Sequence, residues 1–172
     1  LQTFAKECKL PLVTISDLIR YRSRTETLVE RTSENPTNLV TPFGEFLSVE
    51  YKSLVQDEQT FHALVFGDVK NHSEVPVFLV EDDFEAGLEA QWAQQQIARH
   101  GYGVVIYVHG SSQLMQISGE LMARQSIFGM AMQIVRDLNI NSVCLLSMKE
   151  SNFDPSGFGV DVVGSKRLTT ST

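Results

Sequence analysis

At 172 residues, the chain is long enough for one good hydrophobic core, or for one domain with an extension. Its hydrophobic fraction of 42% and charged fraction of 20% are ordinary for a globular chain, which excludes a fibrous or disordered class. A net charge of −7 excludes nucleic acid or an anionic membrane as the main partner and leaves room only for a local basic pocket.

Two cysteines, Cys8 and Cys144, make no disulfide framework, and no apolar run reaches the roughly 18–20 residues that cross a bilayer. No secretory leader is visible, so a cytoplasmic protein is expected. The chain opens at Leu1 inside what reads as a helix, and it reads as a piece of a longer protein.

Residues 1–7 suggest the end of an amphipathic helix, and 9–13 a short extended piece. Ser16 is placed to cap an arginine-rich helix through Arg22, with Asp17 at its positive end. The polar cluster 32–38 reads as a linker. Residues 38–51 suggest two strands joined at a Pro-Phe-Gly turn, followed by strands at 61–69 and 76–80. A helix is predicted from Glu85 to His100, ended by Gly101. Val104–Val108 is a continuous apolar run, the pattern of a strand covered on both faces. A long helix is predicted over 119–138, with Ile127, Met130, Ile134 and Leu138 at helical spacing, then strands at 142–147 and 159–163. This alternation predicts an α/β fold: a mixed, partly parallel sheet with flanking helices.

Two stretches carry a resemblance. Thr14-Ile15-Ser16-Asp17-Leu18-Ile19-Arg20-Tyr21-Arg22 resembles the C-terminal tail of 3,4-dihydroxy-2-butanone 4-phosphate synthase. Thr41-Pro42-Phe43-Gly44-Glu45-Phe46, Ala63 to Asp68, Gly101-Tyr102-Gly103 and Arg124 to Leu146 resemble, in that order, pieces of GTP cyclohydrolase II. The resemblance implies residues 1–31 as the tail of a synthase-like domain, 32–38 as linker and 39–172 as a GTP cyclohydrolase II-like domain. It also implies a parent chain with an N-terminal synthase domain, a lyase. The family's zinc-binding cysteines have no counterpart, because no cysteine lies between Cys8 and Cys144. Zinc is therefore expected to be absent, no cofactor is expected in this stretch, and the domain is expected to be inactive as a cyclohydrolase. Its expected role is structural or regulatory, as a homodimer, with a nucleotide or flavin as a possible ligand. The alternative is an enzyme that retains GTP binding, or an altered, zinc-independent hydrolase using Glu81, Asp82 or His109.

No catalytic residue is assigned. The candidate ligand-binding residues are His109, which follows a buried strand, Arg124, Ser147 at the family's threonine position, and Lys149. Lys166 and Arg167 are candidates to join Lys149 and Arg124 in a small anion pocket, against a plain solvated surface. Glu81-Asp82-Asp83 with Glu85 suits a hard metal but reads more simply as an acidic helix start. Cys144 reads as core. The apolar residues on 127–138 exceed what one helix side buries, which predicts packing against a second copy.

Overall fold

The computed structural model describes residues 1–81, 86–111, 119–147 and 154–167. Helices α1 (Gln2–Glu7) and α2 (Ile15–Thr25) lead into strands β1 (Val29–Arg31), β2 (Thr37–Thr41), β3 (Gly44–Ser53), β4 (Thr60–Phe66) and β5 (Val75–Glu81). Then come α3 (Ala86–His100), β6 (Gly103–His109), α4 (Glu120–Asp137), β7 (Ser142–Ser147) and β8 (Asp161–Arg167).

The strands form one sheet in the order β1-β3-β4-β6-β5-β7-β8, with β2 also on β3. Strands β1 to β4 and the β4–β6 junction are antiparallel, whereas β6, β5, β7 and β8 run parallel. The expected mixed, partly parallel sheet with flanking helices is therefore present. The parallel half follows from two helical crossovers, α3 between β5 and β6 and α4 between β6 and β7, which cover opposite faces of the sheet.

Strand alternation sorts the core into two layers. Val49, Phe61, Val77, Val104 and Ile106 meet α4 through residues such as Ile127 and Ile134. Phe46, Leu64, Phe78 and Val105 meet Ala93 and Ile97 of α3. Val104, Val105 and Ile106 are all fully buried, which is why β6 reads as an unbroken apolar run.

Three expectations change. The cap of α2 is Thr14, two residues before Ser16. Its hydroxyl accepts the Asp17 N–H at 3.1 Å while the Asp17 carboxylate accepts the Thr14 N–H at 3.0 Å, a reciprocal capping box. Strand β8 starts at Asp161, because Gly157 and Gly159, both at positive φ, carry the turn before it. The surplus apolar surface assigned to a second copy on the long helix is covered within the chain. Phe128, Met130, Met132, Ile134 and Val135 are at most 4% exposed, since α4 lies between the sheet and α2.

Thr37 and Asn38 of the expected linker already belong to β2, and β1 and β2 each lie antiparallel to β3. Among the described residues, no helix is long and apolar enough to cross a membrane.

Candidate functional site

In a parallel sheet the carboxyl ends of the strands are where side chains leave the pleat and loops open into a crevice. Here β5, β7 and β8 end at a cavity of about 240 Å³ on the α4 face. Val77, Leu79, Phe128 and Leu145 make its apolar floor, and Glu81, Arg124, Ser147 and Ser165 its polar rim. The structure therefore brings together two of the sequence-predicted residues, Arg124 and Ser147.

Arg124 is not poised for an incoming anion. Its guanidinium lies 3.7 Å from Glu81 Oε1, and its Nε donates to Glu120 Oε1 at 3.2 Å. Two carboxylates share one cation, so Arg124 ties the end of β5 to the first turn of α4. Ser147 contributes a hydroxyl at the end of β7. The arrangement suits a small ligand with one apolar side and a hydrogen-bonding edge, rather than a polyphosphate.

The other candidates fall elsewhere. His109 sits at the end of β6 on the opposite, α3 face, in phase with Val105 and Tyr107. Its ring meets His62 edge-on at 5.2 Å, across the β4–β6 ladder. Sequence inspection missed this pair, because 47 positions separate two residues that the antiparallel register makes diagonal neighbours. Lys149 lies outside the described residues, as do Asp82, Asp83 and Glu85. Lys166 lines a separate cavity of about 260 Å³ with Arg99, His100 and Cys144, so it does not join Arg124 in one anion pocket. Among the described residues, no group of three His, Cys, Asp or Glu side chains is placed to hold a metal ion.

Cys144 is 2% exposed, and burial first, then a hydrogen bond with Glu74, pushes its thiol up from the ordinary range. Cys8 is exposed. A thiol reagent at neutral pH is therefore expected to titrate one cysteine rapidly in the native protein and the second only after unfolding. Two fast thiols would show that β7 opens.

No family model matches the chain. It is 32% identical to a protein of Neisseria meningitidis serogroup A named 3,4-dihydroxy-2-butanone 4-phosphate synthase, over 95% of this chain and 49% of that one. It is 29% identical to a probable bifunctional riboflavin biosynthesis protein of rice chloroplasts, over 99% of this chain and 37% of that one. Among solved structures it is similar to RibBX of A. baumannii, described as a two-domain 3,4-dihydroxy-2-butanone 4-phosphate synthase. That match has a TM-score of 0.70 and 25% identity, and it covers 99% of this chain and 48% of that one.

These findings correct the resemblance to GTP cyclohydrolase II drawn from the pieces between Thr41 and Leu146. Matches running through nearly the whole chain, including that stretch, are to proteins named for the synthase. The physical reason is that the pieces behind the resemblance are generic. Thr41 to Phe46 is a two-residue hairpin turn, its Thr41 hydroxyl donating to Gly44 O at 2.9 Å, and Gly101 to Tyr107 is a helix stop followed by a buried strand. Such signals recur in many α/β proteins. The readings that depended on that family, a degenerate cyclohydrolase site and an altered hydrolase, gain no support. The chain spans about half the length of the curated relatives it matches, and what it is similar to over that span is riboflavin-biosynthesis proteins, chiefly those named 3,4-dihydroxy-2-butanone 4-phosphate synthase.

Proposed function

We propose that this chain is part of a longer riboflavin-biosynthesis protein that carries 3,4-dihydroxy-2-butanone 4-phosphate synthase activity, and that residues 1–31 complete the synthase part. The remaining sheet domain acts as its structural or regulatory support. One observation carries the reading: the leading segment is apolar where none of the described residues covers it. Leu1, Phe4, Leu10, Leu12, Val13, Ile15, Leu18 and Tyr21 are all more than half exposed. The opposite side of α2 meanwhile packs on α4 through Ile19 and Ser23. A short segment with apolar groups on both sides is built to lie between two bodies, and one of them is the sheet domain. The names of the relatives, and their length of about twice that of this chain, support a synthase part as the other.

Paired substitutions test this. In the whole protein, Leu12→Asp with Leu18→Asp is expected to lower formation of 3,4-dihydroxy-2-butanone 4-phosphate at least about tenfold, because two buried carboxylates would need to be desolvated. In the 172-residue chain alone, the same pair is expected to leave the unfolding midpoint unchanged and to reduce self-association. Full synthase activity in the double variant would overturn the assignment of residues 1–31.

A further inference from the structure

The last turns of α2 and α4 meet β1 and β3 around a cavity of about 420 Å³, away from the strand ends. Three arginines from three elements line it: Arg24 of α2, Arg31 of β1 and Arg136 of α4. Two carboxylates also line it, and both are engaged. Glu26 pairs with Arg22 at 2.9 Å. Asp137 accepts the Tyr51 hydroxyl at 2.7 Å and pairs with Arg31 at 3.6 Å.

Arg24 and Arg136 are left over, neither making an ion pair among the described residues. Both reach the same point of the chain. A Cβ on Gly159 would touch Arg136 Nη1 at 3.2 Å and Arg24 Cγ at 3.5 Å. Gly159 itself has φ +88°, a conformation that suits glycine, so the close approach and the backbone both keep a side chain out. Acidic residues outnumber basic ones 21 to 14. In such a chain, two arginines that line one cavity and make no ion pair among the described residues run against the composition.

The negative end of α2 is also muted. The Gln133 amide donates to the Ser23 and Glu26 carbonyls at 2.9 and 2.8 Å, occupying oxygens that would repel an anion.

We propose that this cavity binds a phosphate-bearing small molecule, with the phosphate held between Arg24 and Arg136. Guanidinium forks match phosphate oxygens in pairs, and a phosphate placed there supplies both cations with a counter-charge. The cavity is larger than a lone phosphate fills and falls within the roughly 300–1,000 Å³ of small-molecule sites, so the ligand carries an organic body. Thr27 offers a hydroxyl to that body, and Thr25, whose hydroxyl donates to the Tyr21 carbonyl at 2.8 Å, offers an oxygen that accepts. The site is separate from the strand-end cavity, where carboxylates already occupy Arg124.

Calorimetric titration at constant ionic strength tests the proposal, with inorganic phosphate and glycerol 3-phosphate as probes. The expected result is saturable one-site binding of glycerol 3-phosphate in the millimolar range or tighter, with inorganic phosphate weaker. Arg24→Gln and Arg136→Gln are each expected to weaken it at least about tenfold, the loss of a charge-assisted fork. The lysine variants should be intermediate, and Arg124→Gln should bind as the parent does. Unfolding midpoints measured alongside confirm that the variants are folded. Absence of saturation, binding that survives both glutamine substitutions, or loss on Arg124→Gln instead would overturn it.

Discussion

Replacing Gly129 with leucine is expected to destabilise the protein by about 3 kcal/mol, the upper end for overpacking a tight core. Glycine in the middle of α4 is itself costly, roughly 1 kcal/mol relative to alanine. The position accepts that cost because α2 crosses there. Even a bare Cβ at Gly129 would overlap Ser23 Oγ, touch Ser23 Cβ at 3.0 Å and lie 3.3 Å from Phe158 Cδ1. The Ser23 hydroxyl does not swing away freely, since it donates to the Ile19 carbonyl at 2.8 Å. The whole of α2 must therefore lift. In a chain of this length the loss is about 6–12 °C in unfolding midpoint. Gly129→Ala is the finer probe, because helix propensity favours it while the contact opposes it. Combining it with Ser23→Gly should recover part of the loss, a coupling that a double-mutant cycle measures. An unchanged midpoint in Gly129→Leu would mean that α2 is not docked as described.

Gln133→Leu is expected to cost about 2–3 kcal/mol, nearly as much, for a different reason. One side-chain amide makes three hydrogen bonds across the α2–β1 junction. Its carbonyl accepts the Leu28 N–H at 2.9 Å, and its amino group donates to Ser23 O and Glu26 O. Leucine matches the volume but leaves the partly buried Leu28 N–H and Ser23 carbonyl unmet, at a cost on the order of 1 kcal/mol or more each, while the exposed Glu26 carbonyl turns to water. The distinguishing readout is local: amide exchange at Leu28 should accelerate well beyond the global change in stability. Slow exchange at Leu28 in the variant would assign the N–H another partner.

Regular elements with strong periodicity were legible in the sequence. The run Val104 to Val108 became the doubly covered β6. Gly101 ended α3 as expected, its N–H returning to the Ile97 carbonyl at 3.1 Å with φ +94°. The span 119–138 became α4, Glu120–Asp137, within one residue at each end. Strand β1 was not legible, because Val29-Glu30-Arg31 is short, charged and in place only through its pairing with β3. The cap at Thr14 was missed because the nearer Ser16 satisfies the same chemical preference, and only the reciprocal Asp17 bond decides between them. At the strand ends, the structure brings Arg124 and Ser147 to one cavity; of the carboxylates on Arg124, Glu120 is its i,i+4 neighbour on α4, and only Glu81 is brought by packing. The Arg24–Arg31–Arg136 cluster had no local signal, since its members are brought together by an α2–α4 contact more than a hundred residues apart. The same locality explains the family assignment that failed: short turn-and-strand pieces were weighed more heavily than a similarity spread thinly along the whole chain.

The bond from Gln133 to Ser23 spans 110 positions. During synthesis, α2 therefore leaves the ribosome long before α4 exists to receive it, and at roughly 5–20 residues per second that interval is about 5–20 s. Throughout it, Ile19 and Ser23 lack the α4 face on which they dock, beside Leu10, Leu12, Val13, Ile15 and Leu18, which stay more than half exposed even in the finished fold. In the longer protein proposed above, the half made earlier can shelter them on its own surface at once. When the stretch is produced by itself, the nascent segment waits uncovered, and its yield should depend on chaperone supply more than on the stability of the finished fold.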